Sequence, residues 1–154
     1  TQWATAAANP KDVDPENPCG KTIAVQTGTI QDEDDLPARQ QRCADEPMNI
    51  LQFEGQDQVT AAVVSGRADA MLADSPIVAY AVKQSGGKLA ALGDLYDAAP
   101  YGIVVPKDQT AFAEAIAEAL TELKSEGTYE AILKKWGTEQ GGIDHFEVDP
   151  NVGG

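Results

Sequence analysis

Apolar positions recur first in short runs and later at helical spacing. Thr22-Ile-Ala-Val25 is a compact apolar run of the kind that forms a strand. Residues 32–44 are polar and helix-tolerant, with Pro37 in the first turn or marking a late start. Met48 to Phe53 reads as a second strand. Across Gln56 to Ser65, the spacing of Val59, Ala62 and Val63 predicts a helix, which Gly66 is placed to stop. Asp69 to Leu72 reads as a third strand, and Ser75 to Gln84 as a helix halted by Ser85-Gly-Gly87. Leu89 to Leu92 and Tyr101 to Val105 add two further strands. Phe112, Ile116, Leu120 and Leu123 then form one apolar stripe, and Tyr129, Ile132, Leu133 and Trp136 a second. Glu126-Gly127 separates them, so two helices in tandem are expected.

The two ends lack this regularity. Asn9-Pro10, Asp14-Pro15 and Asn17-Pro18 disfavour helix, so residues 1–18 read as an extended connector, with Gln2 to Thr5 as a short strand. Residues 137–154 are rich in Gly and Asp and read as a surface tail. Strand–helix alternation from 22 to 92 predicts an α/β layer with a mostly parallel sheet. Ligands of such sheets sit where strands end and helices begin. That rule singles out two loops, Gln26–Gln31 and Ala73–Pro76.

Composition narrows the partners. With 154 residues and 42% of them apolar, the chain can build one sizeable core. Its net charge of -14 argues against nucleic acid and against an anionic membrane surface. No apolar run is long enough for a membrane span, and no signal-peptide pattern is present. The chain opens on Thr1 rather than Met, as expected of a processed or trimmed product. Cys19 and Cys43, with a single His, cannot make a four-ligand zinc site without carboxylates. They read as a disulfide worth about 3–4 kcal/mol, which would imply an oxidising compartment; two free buried thiols are the alternative.

Most catalytic motifs are missing. "CGKT" at Cys19–Thr22 lacks the upstream glycine of a phosphate loop, since Pro15 stands there, and it precedes a strand instead of following one. There is no G-x-G-x-x-G and no G-x-S-x-G. His145 reads as a surface residue. No cofactor or metal is expected.

The two loops carry more. In "TGTIQ", Gly28 permits a tight turn that aligns successive N–H groups, and Thr29 adds a hydroxyl. Amides at a helix start attract anions such as carboxylate; alternatively, Thr27 or Thr29 merely caps the helix. In "ADSP", Asp74 offers a carboxylate at a strand end to an ammonium group; alternatively, Asp74 or Ser75 is an N-cap with Pro76 in the first turn. An anion site beside a cation site suits a zwitterion. Asp32-Glu-Asp-Asp35 follows at once, and four carboxylates within a Debye length weaken anion binding.

The stretches "GKTIAVQTGTIQ", "GQDQVTAAVVSGRADAMLADSPIVAYAVKQ", "YGIVVPK" and "ALTELKSEGTYEAILKKWG" resemble the family 3 bacterial extracellular solute-binding proteins. These are polar amino-acid receptors of ABC importers. The resemblance runs from about residue 19 to 137. It implies a periplasmic-binding-protein type II lobe, three-layered, with two C-terminal helices. Residues 1–18 would be a crossing segment, 19–100 ligand-binding lobe two, and 101–154 the returning strand, helices and tail of lobe one. Most of lobe one would lie outside the chain.

By the same resemblance, Asp74 would bind the ligand α-ammonium. Thr29 and the Ile30 N–H would meet the α-carboxylate, with Gln31 beside them. Gln26 would face the ligand side chain, and Ala73 would line the pocket without a polar group. Cys19 and Cys43 match the disulfide of a subset of the family. The expected partners are a small amino acid and an ABC-transporter permease, outside the cytoplasm, in the periplasm or lipid-anchored. Without lobe one, the apolar stripe of residues 112–123 is expected to drive self-association. A sensor input domain, or a dehydratase-like enzyme using Glu54 or Asp74 as acid or base, are the alternative readings.

Overall fold

The apolar run Thr22–Gln26 forms a strand whose side chains alternate between two cores. In the computed structural model, which describes residues 1–150, Ile23 and Val25 face one cluster and Ala24 the other. Five strands make one sheet: β1 (Gln2–Ala6), β2 (Thr22–Gln26), β3 (Asn49–Phe53), β4 (Ala70–Ala73) and β5 (Leu89–Leu92), in the order β3-β2-β4-β1-β5. β2 pairs in parallel with β3 and β4, while β1 runs antiparallel to both β4 and β5. Four strands therefore point one way and β1 the other, and with two parallel and two antiparallel pairs the sheet is mixed, not mostly parallel as expected, because β1 is inserted between β4 and β5.

Helices cover both faces. α2 (Gln56–Val64) and α3 (Ser75–Gln84) place Val59, Ala62, Val63, Val78 and Ala81 against Ala4, Ala24 and Met71. On the opposite face α1 (Leu36–Arg42) puts Leu36 among Trp3, Ile23, Val25 and Leu72. The predicted polar helix of residues 32–44 thus begins with one π-helical turn, Gln31–Asp35, and continues as α1 with Pro37 in its first turn. The disulfide Cys19–Cys43, with Cα atoms 5.2 Å apart, joins the segment before β2 to the end of α1.

Two further sequence expectations change. The first eighteen residues are more than a connector, because β1 lies inside the sheet and Trp3 is completely buried. Val13 and Pro18 are also buried, so part of this segment packs against the domain, while Pro10 stays exposed. A five-residue strand with a single large apolar side chain has little signal of its own; its partners β4 and β5 create it. Conversely, Tyr101–Val105 forms no strand, since an apolar run becomes one only where a sheet edge accepts its backbone.

The chain divides into two units, Thr1–Asp97 and Ala98–Gly154. The second unit holds α4 (Thr110–Ser125) and α5 (Thr128–Trp136), the predicted tandem pair. Neither helix buries a residue, and Phe112 and Ile132 are about half exposed, at 55% and 49%. The expected tail is fastened to this pair. Lys124 Nζ donates to Ile143 O and bridges Glu130 and Asp144, and Phe146 meets the Tyr129 ring edge-on. The last stretch of that predicted tail, residues 151–154, lies outside the described residues. His145 is exposed, as expected.

A polar knot closes the α1 face of the first unit. Asp35 accepts from Arg39 Nε at 2.7 Å on one oxygen and from the Tyr96 hydroxyl on the other. The guanidinium stacks 5.3 Å from the Trp3 ring centre and 5.0 Å from that of Tyr96. Burial works against the Arg39 charge, but the Asp35 hydrogen bond and the charge interactions with Tyr96 and Asp35 together outweigh it and raise the pKa. Burial first, and then the hydrogen bond to Asp35, pushes the Tyr96 phenol well above its ordinary value. The unfolded chain ionises Tyr96 near pH ~10 while the folded chain keeps it neutral. This contribution to stability is therefore complete below about pH 10 and is lost as pH rises above it. Urea midpoints should fall more steeply above pH ~10 in the unsubstituted protein than in Tyr96→Phe. Parallel curves for the two proteins would refute the assignment.

Candidate functional site

Strands β2 and β4 are neighbours pointing the same way, so their carboxyl ends deliver two loops to one place. Between these loops lies a hollow of about 310 Å³. Gln26, Gly28, Thr29, Ile30 and Gln31 line it from the first loop, and Ala73, Asp74 and Ile77 from the second. All five positions predicted as a ligand site therefore border one hollow within the first unit.

The first loop holds itself open through its own polar groups. Gly28 has φ +75°, a left-handed conformation that a side chain would strain, and nothing lies within 4 Å of where a Cβ would stand. The Thr29 hydroxyl donates to Gln26 O at 2.8 Å and accepts from the Asp32 N–H at 3.3 Å. It serves the turn, although Ile30 stands at the N-cap position. The Ile30 N–H has no acceptor among the described residues, and its side chain is 72% exposed. Gln26 donates its side-chain amide to Glu54 O.

Asp32 completes the loop from within. One of its oxygens accepts from the Gly28 N–H at 3.1 Å and the other from Gln52 Nε2 at 2.6 Å. One amide of the predicted anion nest is thus already occupied by the chain's own carboxylate. The acidic run after the loop is partly built into it.

The second loop bears on both readings of "ADSP". Asp74 is the N-cap of α3 by its backbone, with Ser75 and Pro76 in the first turn, but its side chain makes no cap bond. Its Oδ1 instead accepts from Gln31 Nε2 at 2.8 Å across the hollow. Asp74 is exposed, and it is the only charged residue among those lining the hollow. Glu54 is not among them, so the structure does not pair it with Asp74 for acid–base work.

Sequence reasoning missed Gln56 and Ile77 as lining residues. Both lie in the first turn of a helix that follows a strand, so the rule used for the other two loops also covers them. The Gln31–Asp74 bond spans 43 positions and has no local signal. Among the described residues, no cluster of His, Cys, Asp and Glu is arranged to hold a metal ion.

This architecture is one α/β lobe with a hollow at the carboxyl ends of its strands. The sequence pattern of bacterial extracellular solute-binding proteins, family 3, matches residues 20–139. The chain belongs to that family, and its fold is a type II periplasmic-binding-protein lobe with a C-terminal helix pair. The arginine-binding protein ArgT of Corynebacterium glutamicum is 40% identical over 96% of the chain and 49% of its own length. The ABC transporter glutamine-binding protein GlnH of Bacillus subtilis is 35% identical over 57% of the chain and 32% of its own length. Among solved structures, the ancestral amino-acid-binding protein AncCDT-1, described as a precursor of cyclohexadienyl dehydratase, superposes with a TM-score of 0.63 at 26% identity. That superposition covers 88% of the chain and 56% of the other. The chain spans at most about half the length of these two curated relatives.

Proposed function

We propose that the chain is the second lobe, with the returning C-terminal segment, of a receptor that binds an amino acid or related amine-bearing solute for an ABC importer. The observation that carries this reading is the Asp74 carboxylate, the sole charge lining the hollow, held opposite a glycine turn with an open Ile30 amide. A carboxylate and an N–H bordering one hollow complement an α-ammonium and an α-carboxylate. In this reading Asp74 takes the ammonium, Thr29 and the Ile30 N–H border the carboxylate, and Gln26 faces the side chain. The other wall belongs to a first lobe that closes on the ligand.

The relatives ArgT and GlnH are named as binding proteins, which favours binding without bond cleavage. A receptor of this kind works outside the cytoplasm, in the periplasm or tethered to the surface by a lipid, and hands its solute to a permease. The disulfide suits such an oxidising site. Taken alone, the chain is proposed to self-associate through α4 and α5, where Phe112 and Ile132 stay exposed.

Calorimetry with a panel of amino acids, on the longest native polypeptide that contains this chain, tests the reading. Saturable binding of at least one amine-bearing solute is expected. Binding of none, or turnover of prephenate-like acids, would overturn it. Sedimentation of the chain by itself reads its self-association.

A further inference from the structure

Aspartate is among the best N-cap residues, because its carboxylate ordinarily accepts from the N–H of the second or third helical position. At the start of α3 the second position is Pro76, which has no N–H, so the Ile77 amide is the one remaining target, and it already donates to the Asp74 backbone oxygen at 3.0 Å. Asp74 occupies the cap position and its side chain makes no cap bond. The carboxylate bonds across the hollow instead. Its partner across the hollow is Gln31, only 4% exposed, whose side-chain amide donates to Asp74 Oδ1 at 2.8 Å and to Thr1 Oγ1 at 3.0 Å. An ionised carboxylate only accepts, so Gln31 must present its NH₂ group, and both hydrogens of that group are used inside the protein.

We propose that Gln31 is a positioning residue: it holds the Asp74 carboxylate turned into the hollow instead of onto the N-terminus of α3, and acts on an amine-bearing ligand through Asp74. The proposal rests on the ligand reading above, and it changes the role of Gln31 from a ligand contact to the support of one. The geometry is economical. Gln31 opens the π-helical turn and is anchored by its burial, whereas Asp74 stands exposed on a loop with two competing places for its carboxylate. A hydrogen bond from a fixed neutral donor to a charged acceptor is strong enough to decide between them.

The test uses Gln31→Met, which keeps length and burial but removes the donor, with Gln31→Leu as a second variant should the first fold poorly. In the longest native polypeptide containing this chain, NMR follows the Asp74 carboxyl carbon and the Ile77 amide proton without ligand, and calorimetry follows the amino acid that binds the unsubstituted protein. The expected result is that both resonances move as the carboxylate swings onto the Ile77 N–H. Affinity should fall roughly ten-fold or more while the thermal midpoint holds or rises. Unchanged affinity overturns the proposal. So does lost affinity with both resonances unmoved, which would make Gln31 a direct ligand contact. If the unsubstituted protein binds no amine-bearing solute, the functional reading falls and the binding role of Gln31 with it. The two resonances still report separately whether Gln31 sets the Asp74 carboxylate.

Discussion

Asp74→Ala is expected to weaken binding of an amine-bearing solute by roughly 100-fold, about 3 kcal/mol, in the native polypeptide that carries this chain. The size follows from what is removed. An ammonium enclosed between lobes loses its water, and a carboxylate is the group that replaces it. Without Asp74 the charge is left facing Gln31, Gln56 and apolar side chains, none of which bears compensating charge. Stability should change little, because Asp74 is exposed and its side chain does not cap α3. Calorimetry paired with a thermal melt separates the two effects. Unchanged affinity for every amino acid that binds the unsubstituted protein would sink the ammonium assignment. A large drop in melting temperature would mean that Asp74 is structural.

The second large effect concerns Cys19–Cys43. Reducing this bond, or replacing both cysteines with alanine, is expected to destabilise the first unit by about 3–4 kcal/mol, for a loop spanning 24 positions. The bond joins the segment before β2 to the end of α1, and Cys43 itself packs beside Trp3, Leu36 and Met48. Cutting it releases the far end of the helix whose near end follows the ligand loop. Denaturant midpoints with and without reductant measure the loss, and coincident curves would contradict it. The effect should add to that of Tyr96→Phe below pH ~10 only so far as the two sites are independent, since both restrain α1.

The loops of the site were legible because each has strong local chemistry. Gly28 between two threonines marks a turn with φ above zero, and Asp-Ser-Pro marks a helix start. Gln26, Thr29, Ile30, Gln31 and Asp74 were all singled out as binding candidates, and all border one hollow. Their roles were less legible. Thr29 turns its hydroxyl onto its own loop, Asp32 occupies the Gly28 amide, and Gln31 gives its donors to Asp74 and Thr1. Each of these is a choice among hydrogen-bond partners, and at Gln31 the deciding partner is far away in sequence.

The elements divide in the same way. The strands at 22–26, 49–53, 70–73 and 89–92 and the helices at 56–64 and 75–84 follow from local periodicity and from Gly or Ser-Gly stops. At Gln2–Thr5 a short strand is expected but not its place inside the sheet, and the strand expected at 101–105 does not form, for one reason. A strand is a property of its partners. Gln2–Ala6 finds two neighbours in the sheet, whereas Tyr101–Val105 is apolar enough to be a strand but forms none. By itself, then, the sequence determined the α/β class, the order of the elements, the two loops and the family. Tertiary structure decided that the first strand runs reversed inside the sheet and that Gln31 bonds Asp74 across the hollow. These outcomes depend on contacts between distant residues, and local pattern holds no record of them.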